Sequence, residues 1–286
     1  MRIQPECLIC MFTARAREVF QTIEERERQV EVVFKLMKKM IDGVRMNMLG
    51  PKLGGILFKI VRTESGVDDP YYNFKIESNK LAERTLARML REDTTVHRLL
   101  TWVTVANTID PGPIEHKENV IKWSSIIDST PLKGDVEYAL SLIEKSRKIL
   151  YLCDNSGEFI FDAYFILQLM KSGKEIICAV KAEPFQNDVT IRDVESIKIA
   201  ENLKIISTGN SYAGVILEES SSPLLKALTE SDLVIAKGMG NFESITEYIN
   251  NGLWNHTTIF LLVVKCTPIS KYVGYPVGSA ICKVFP

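Results

Sequence analysis

Residues 149–164 read ILYLCDNSGEFIFDAY. An apolar run stops at Cys153, and Asp154, Asn155, Ser156, Gly157 and Glu158 follow without a break. A plain turn needs one or two such residues. Five together, two of them carboxylates, point to a loop that binds something. A second acid, Asp188, stands in the loop AEPFQND that follows the apolar run EIICAV. Two carboxylates and a carboxamide oxygen suit a hard divalent cation. Mg²⁺ takes one or two protein carboxylates and completes its octahedron with water and substrate phosphate. Mn²⁺ accepts the same oxygens, so the residues do not choose between them. Asp154, Asn155 and Asp188 are thus the candidate metal ligands. Asp188 is not required as a helix cap, because Thr190-Ile191-Arg192-Asp193 is itself a capping box with Thr190 as N-cap.

Basic residues and glycines suit phosphate. Lys181, Lys237 and Lys265 each close an apolar run. Lys265 follows IFLLVV, where an ammonium costs desolvation unless it reaches water or an anion. KGMGNFE joins a strand-like run to a helix-like one, a place where backbone N–H groups and a helix N-terminus can receive an anion. The turn lacks the third glycine of a dinucleotide fingerprint and the Gly-Lys-Ser/Thr ending of a P-loop. Lys237, Gly238, Gly240, Asn241 and Lys265 are candidate phosphate contacts, joined by Glu158, which lies close to the binding loop. Asp154, Asp188 and Lys265 are the candidate catalytic residues. Asp162, one helical turn beyond Glu158, is expected to be an ordinary exposed or capping acid. His97, His116 and His256 are scattered, and neither H-x-x-x-H nor G-x-S-x-G occurs.

Elements of two kinds must position these groups. Residues 1–147 carry apolar residues at helical intervals, in ARAREVFQTIEERERQVEVVFKLMKKMI, in YYNFKIESNKLAERTLARMLRE behind a capping Asp68 or Asp69, and in VHRLLTWVTVANTI. The breaker string Asp110-Pro111-Gly112-Pro113 ends the third, and KGDVEYALSLIEKSRK forms a further helix. From 148 the period changes. KILYLC, EIICAV, LKIIST, DLVIAK and IFLLVVK are continuously apolar, as strands buried on both faces of a parallel sheet are. Helical stretches alternate with them, which implies βαβ units. The expected architecture is α/β: a helical region over 1–147 packed on a Rossmann-like three-layer α/β/α catalytic domain over 148–286, with a mainly parallel sheet. Ligands of such sheets bind beyond the carboxyl ends of the strands, where the acids and lysines gather.

The 286 residues, 46% hydrophobic and 25% charged with a net charge of −1, describe an ordinary globular protein and give no reason to expect nucleic acid as a partner. The opening MRIQPECLIC lacks signal-peptide features, and IFLLVV is too short to span a bilayer, so a cytoplasmic, membrane-free protein is expected. Of six cysteines only Cys7 and Cys10 form a motif, C-x-x-C. The first expectation for them is one packed helix face, with metal or redox roles as alternatives.

LCDNSGE, VKAEPFQNDVT, DLVIAKGMGNFES and the lysine of LLVVKC, in this order, resemble the damage-control phosphatases, the metal-dependent family formerly called domain-of-unknown-function family 89. DPYYNFKIESNKLA, NTID and the C-x-x-C resemble the prokaryotic branch of that family. The resemblance implies Asp154, Asn155 and Asp188 as metal ligands, and Glu158, the Gly238-to-Glu243 turn and Lys265 as substrate or phosphate contacts. Ala106-Asn107 departs from the Gly-Asn usual in the family, which weighs against a substrate role for Asn107. The expected function is a metal-dependent phosphatase of small phosphorylated metabolites, sugar phosphates or damaged compounds among them, working with Mn, Co, Ni or Mg. Metal-activated water is favoured over a nucleophilic aspartate. The alternative is a non-catalytic sensor that binds a nucleotide or phosphometabolite. Two carboxylates argue against it, since an anion binder without a metal gains nothing from them.

Overall fold

In the computed structural model, which describes residues 1–91, 94–108 and 120–286, the five apolar runs are strands of one sheet. They are β2 (Lys148–Leu152), β3 (Glu175–Val180), β4 (Lys204–Ser207), β5 (Leu233–Lys237) and β6 (Thr258–Val263). All pair in parallel with their neighbours among these five. Two further strands, β1 (Leu132–Gly134) and β7 (Ala280–Phe285), were not expected. Strand β7 runs antiparallel to β6 and parallel to β1, giving the order β1-β7-β6-β5-β2-β3-β4.

Both faces of the sheet are covered, which explains the unbroken apolar runs. On one face Ile149, Tyr151, Cys178, Ile235 and Leu261 pack with buried residues of α4 (Tyr72–Met89), α5 (Val96–Val105) and α8 (Glu158–Lys171). On the other, Leu150, Leu152, Val234, Ala236 and Phe260 pack with α10 (Ser222–Glu230), α11 (Gly238–Asn250) and α12 (Thr267–Val273). Alternate residues of each strand thus feed opposite cores. The remaining described helices are α1 (Pro5–Thr22), α2 (Arg26–Arg45), α3 (Gly50–Ser65), α6 (Val120–Ser129), α7 (Val136–Lys145) and α9 (Ile191–Glu195).

Helices α1, α2 and α3 share a separate core of Val19, Ile23, Val32, Leu36, Leu53, Leu57 and Val61. The long periodic stretch before residue 42 is two helices, because Ile23 leaves helical conformation (φ −122°, ψ 122°) and its carbonyl accepts from Gln29 Nε2 at 2.7 Å. Asp69 caps the approach to α4 by accepting from Tyr71 N at 2.9 Å, whereas Asp68 pairs with Arg62 and Arg192. The stretch before 148 is not purely helical: it supplies β1, and α4, α5 and α6 share one core with the sheet. The string Asp110–Pro113 and His116 lie outside the described residues. No described helix is long and apolar enough to cross a membrane.

Candidate active site

Strand β2 lies between β3 and β5, so the chain leaves it toward β3 and β4 on one side and later returns as β5 and β6 on the other. Connections part at the carboxyl end of β2, the place where open α/β sheets bind ligands. Asp154 sits there. The loop after β3 folds back onto the loop after β2: Val189 N donates to Asp154 O at 2.9 Å and Ser156 N to Asn187 O at 2.8 Å. An antiparallel bridge sets Asn155 against Asp188. Thr190 caps α9 in the expected capping box with Asp193, so Asp188 is outside that cap. Asp154, Asn155 and Asp188 are therefore neighbours. Gly157, at φ +76°, lets the loop turn against Ser78 of α4, and its N–H donates to Asn79 Oδ1.

Amides share the carboxylates between them. Asn107 Nδ2 donates to Asp154 Oδ2 at 2.9 Å and to Glu158 Oε2 at 2.8 Å. Asn155 Nδ2 reaches the same two oxygens at 2.8 and 3.1 Å. Val263 N, at the end of β6, donates to Asn107 Oδ1 and fixes which way that amide faces. Beneath them Lys237 contacts Glu158 Oε1, Asp162 Oδ1 at 2.9 Å and the Val103 carbonyl at 2.7 Å. Tyr151 OH donates to Asp162 Oδ1 at 2.6 Å.

Burial controls the electrostatics. It pushes Asp154 up to about 6, with Glu158 adding to the rise and Lys265 and Lys181 opposing it. It pushes Asp188 well above the usual carboxylate range against the pull of Lys181, whose Nζ lies 3.3 Å away. Burial also lifts Asp162 to about 7, opposed by Lys237. For Lys237, burial works against the charge, but Asp162 and Glu158 outweigh it and hold the ammonium above the ordinary lysine range. Burial thus disfavours the charged form of two neighbouring carboxylates, and the lysines beside them offset it only in part. Asp188 Oδ2 accepts no well-aligned hydrogen bond, and the buried Ser156 Oγ and Asn187 Nδ2 also have none. Among the described residues no three His, Cys, Asp or Glu side chains gather as metal ligands. The donor set is two carboxylates and a carboxamide, hard oxygen ligands that leave most of an octahedron to water or phosphate.

The damage-control phosphatase ARMT1-like domain matches residues 3–281. The chain belongs to that family. An uncharacterised protein of Methanocaldococcus jannaschii is 33% identical over 98% of this chain and 95% of its own. The damage-control phosphatase PH1575 of Pyrococcus horikoshii is 29% identical over 99% of this chain and 98% of its own. A damage-control phosphatase of Archaeoglobus fulgidus is 27% identical, with 99% of both chains covered. The crystal structure of the Pyrococcus horikoshii protein, described as a DUF89 family protein, superposes with a TM-score of 0.88 at 25% identity, covering 99% of this chain and 98% of that one. As a member of the damage-control phosphatases, the chain is a phosphatase, a hydrolase.

Other residues expected at the candidate site take different positions. Lys237 is fully buried with three oxygen partners, which leaves its ammonium no donor for a phosphate. Glu158 has both oxygens engaged inside the protein, so it supports Asn107 and Asn155 rather than meeting solvent. Asn241 spends its amide on the Lys237 carbonyl and its oxygen on Val215 N. Gly240 is small because a Cβ would lie 2.2 Å from the Ala213 carbonyl, where the chain crosses. Gly238 touches the site directly: a Cβ would lie 2.0 Å from Asp154 Oδ2. Lys265 is half-buried just beyond β6, its N–H directed at Met239 Sδ, and its charge reaches Asp154. Asp162 is not an exposed acid but the fully buried partner of Lys237. Asn107 belongs to the site despite Ala106. The four-residue spacing of Glu158 and Asp162 was the available signal for a shared face; for Asn107 no local pattern exists. All six cysteines are free, with Cys7 half-buried and Cys10 exposed, so Cys10 does not pack inside.

Proposed function

We propose that this phosphatase is a metal-dependent phosphomonoesterase acting on small phosphorylated metabolites, sugar phosphates and damaged metabolites among them. The observation that carries the reading is the meeting of Asp154 and Asp188 at the switch point, buried and under-compensated, with Lys181 and Lys265 beside them. Asp154, Asp188 and Asn155 would hold the cation. Asn155 would ligate through Oδ1, so its amide would turn Nδ2 away from Asp154, leaving that oxygen to Asn107. A bound Mn²⁺, Co²⁺, Ni²⁺ or Mg²⁺ supplies charge neutralisation and a lowered pKa for water.

The remaining steps belong to the chain. Asn107 holds Asp154 in place, and the buried Glu158–Lys237–Asp162 cluster holds Asn107 and Asn155. Lys265 pairs with a phosphate oxygen at the strand edge and stabilises the charge that builds there during transfer. The first-turn amides of α11, residues 238–240, have no intrahelical acceptor and receive a second phosphate oxygen. Asp188 would act with Asp154 by holding the cation and so placing the water that attacks.

The test is phosphate release from p-nitrophenyl phosphate and from a panel of sugar phosphates, nucleotides and phosphopantetheine. Chelator-stripped protein is assayed with each metal restored in turn, and metal binding is followed separately by calorimetry. Metal-restored turnover of phosphomonoesters is expected. Full turnover by stripped protein would overturn the metal dependence; metal binding with substrate binding but no turnover would favour the sensor.

A further inference from the structure

Helix α2 carries two apolar stripes. One is inside: Val32, Leu36 and Gly43 are buried against α1 and α3. The other is outside. Val30, Phe34, Met37, Ile41 and Val44 are 70, 70, 42, 52 and 42% exposed. Their spacing of four, three, four and three residues is the a/d repeat of a coiled-coil seam. Single exposed apolar side chains are ordinary on a protein surface. Five in one register, along about 21 Å of helix at 1.5 Å per residue, make a continuous strip. A surface helix ordinarily has one such stripe, which faces its own core.

The charges beside the strip select the occupant. Glu31, Lys38 and Arg45 each follow a seam residue and are exposed, while the opposite flank carries the uncharged Val33 and Met40. Parallel pairing would set these charged positions against the uncharged flank. Antiparallel pairing sets them against themselves. With Phe34 over Met37 of a second copy and Val30 over Ile41, Glu31 lies across from Lys38, and the two-fold axis repeats the pair. The strip is thus complementary to itself, as an isologous interface must be.

We propose that α2 is a homodimer interface, pairing antiparallel with α2 of a second copy of this chain through Val30, Phe34, Met37 and Ile41, with Glu31 opposite Lys38. This surface does not depend on the proposed metal chemistry. The test is sedimentation velocity of the full chain over a wide range of concentrations. The parent should sediment at twice the chain mass. Phe34→Glu, at an exposed position, should keep the parent circular dichroism. It should weaken the dimer by at least about a hundredfold, since each copy contributes the lesion to the centre of the interface. Glu31→Lys should weaken association, and adding Lys38→Glu should restore it. A parent that stays monomeric throughout, a Phe34→Glu protein that dimerises like the parent, or an assembly larger than two would overturn the proposal. A double charge reversal without recovery would overturn the antiparallel register.

Discussion

Replacing Gly238 with alanine strikes the candidate site from beneath. Gly238 opens α11 at φ +76°, and a Cβ there would lie 2.0, 2.3 and 2.7 Å from Oδ2, Cγ and Oδ1 of Asp154. Real Cβ contacts essentially never fall under 3.0 Å, so carboxylate and helix must separate by about 1.0 Å (3.0 − 2.0). The carboxylate has little freedom, because Oδ2 is held by Asn107 and the Asp154 carbonyl by Val189 N. Misplacing a catalytic group by about 1 Å costs on the order of a hundredfold in rate. The left-handed backbone costs a further ~1–2 kcal/mol for a residue with a Cβ. Gly252→Ala separates the two effects, since Gly252 has φ +69° and its Cβ would meet nothing within 4 Å. Both variants should lose a few degrees of melting temperature, about 2–4 °C per kcal/mol at this size. Only Gly238→Ala should lose about a hundredfold in kcat/KM on p-nitrophenyl phosphate and bind Mn²⁺ more weakly. Parent kcat/KM and parent metal affinity in Gly238→Ala would refute the placement of Asp154 at the reacting centre.

Three further outcomes follow from the same geometry. Asp154→Asn and Asp188→Asn should each abolish metal-dependent turnover yet raise the melting temperature of metal-free protein at neutral pH, because each removes a buried, under-compensated charge; parent-like Mn²⁺ binding and turnover in either would refute the ligand assignment. Lys265→Ala should keep metal binding and weaken inhibition by inorganic phosphate about ten- to a hundredfold, with a larger loss in kcat/KM, while Lys265→Arg should not fully rescue; unchanged kcat/KM and phosphate inhibition would point to Lys181 instead. Burial raises Asp154 from an ordinary 3.8 to about 6, and Asp188 in the same direction, so the folded metal-free protein binds more protons than the unfolded chain. The stability that Asp154 contributes is complete below about pH 4 and is lost as pH rises through about 6, and Asp188 acts in the same direction. Urea midpoints of chelated protein across that window, compared with Asp154→Asn, should show the slope shrink in the variant, and an equal slope in both would count against the shift.

Five strands were legible because each is a continuous apolar run packed on both faces, though the edge strand β4 is only partly buried. Strands β1 and β7 were not. LKG is three residues long, and AICKVF carries Lys283, which leans out to Asp135. Asp154 and Asp188 were legible as polar residues that end or follow such runs, a property of the chain itself. The roles of Lys237, Glu158 and Asp162 were not, because they depend on β5 lying beside β2, a neighbour relation that chain order does not reveal. The same holds for Asn107, which reaches Asp154 only because α5 crosses the end of β6 and the short 3-10 turn Ala106–Thr108 closes over it. A strand-end lysine can point out to a ligand or back into a carboxylate pair, and only the packing chooses.

The pairing of β1 with β7 bears on biosynthesis. Leu132, Lys133 and Gly134 align with Ala280, Ile281 and Cys282, and β7 is also the sole bridge from β1 to β6. A nascent chain in which β2 to β6 have already emerged from the ribosome can form that parallel core, but β1 must wait. At about 5–20 residues per second, the roughly 150 residues between the two partners take on the order of ten seconds to synthesise. Once β6 is made, the 16 residues between Val263 and Ala280 leave its outer edge open for on the order of a second, with main-chain groups available to any other extended segment. The insertion of β7, antiparallel among parallel neighbours, closes that edge and fixes β1 in the same event. Ribosomes stalled just before residue 280 should therefore hold a nascent chain far more sensitive to protease in 130–135 than those stalled with β7 fully emerged.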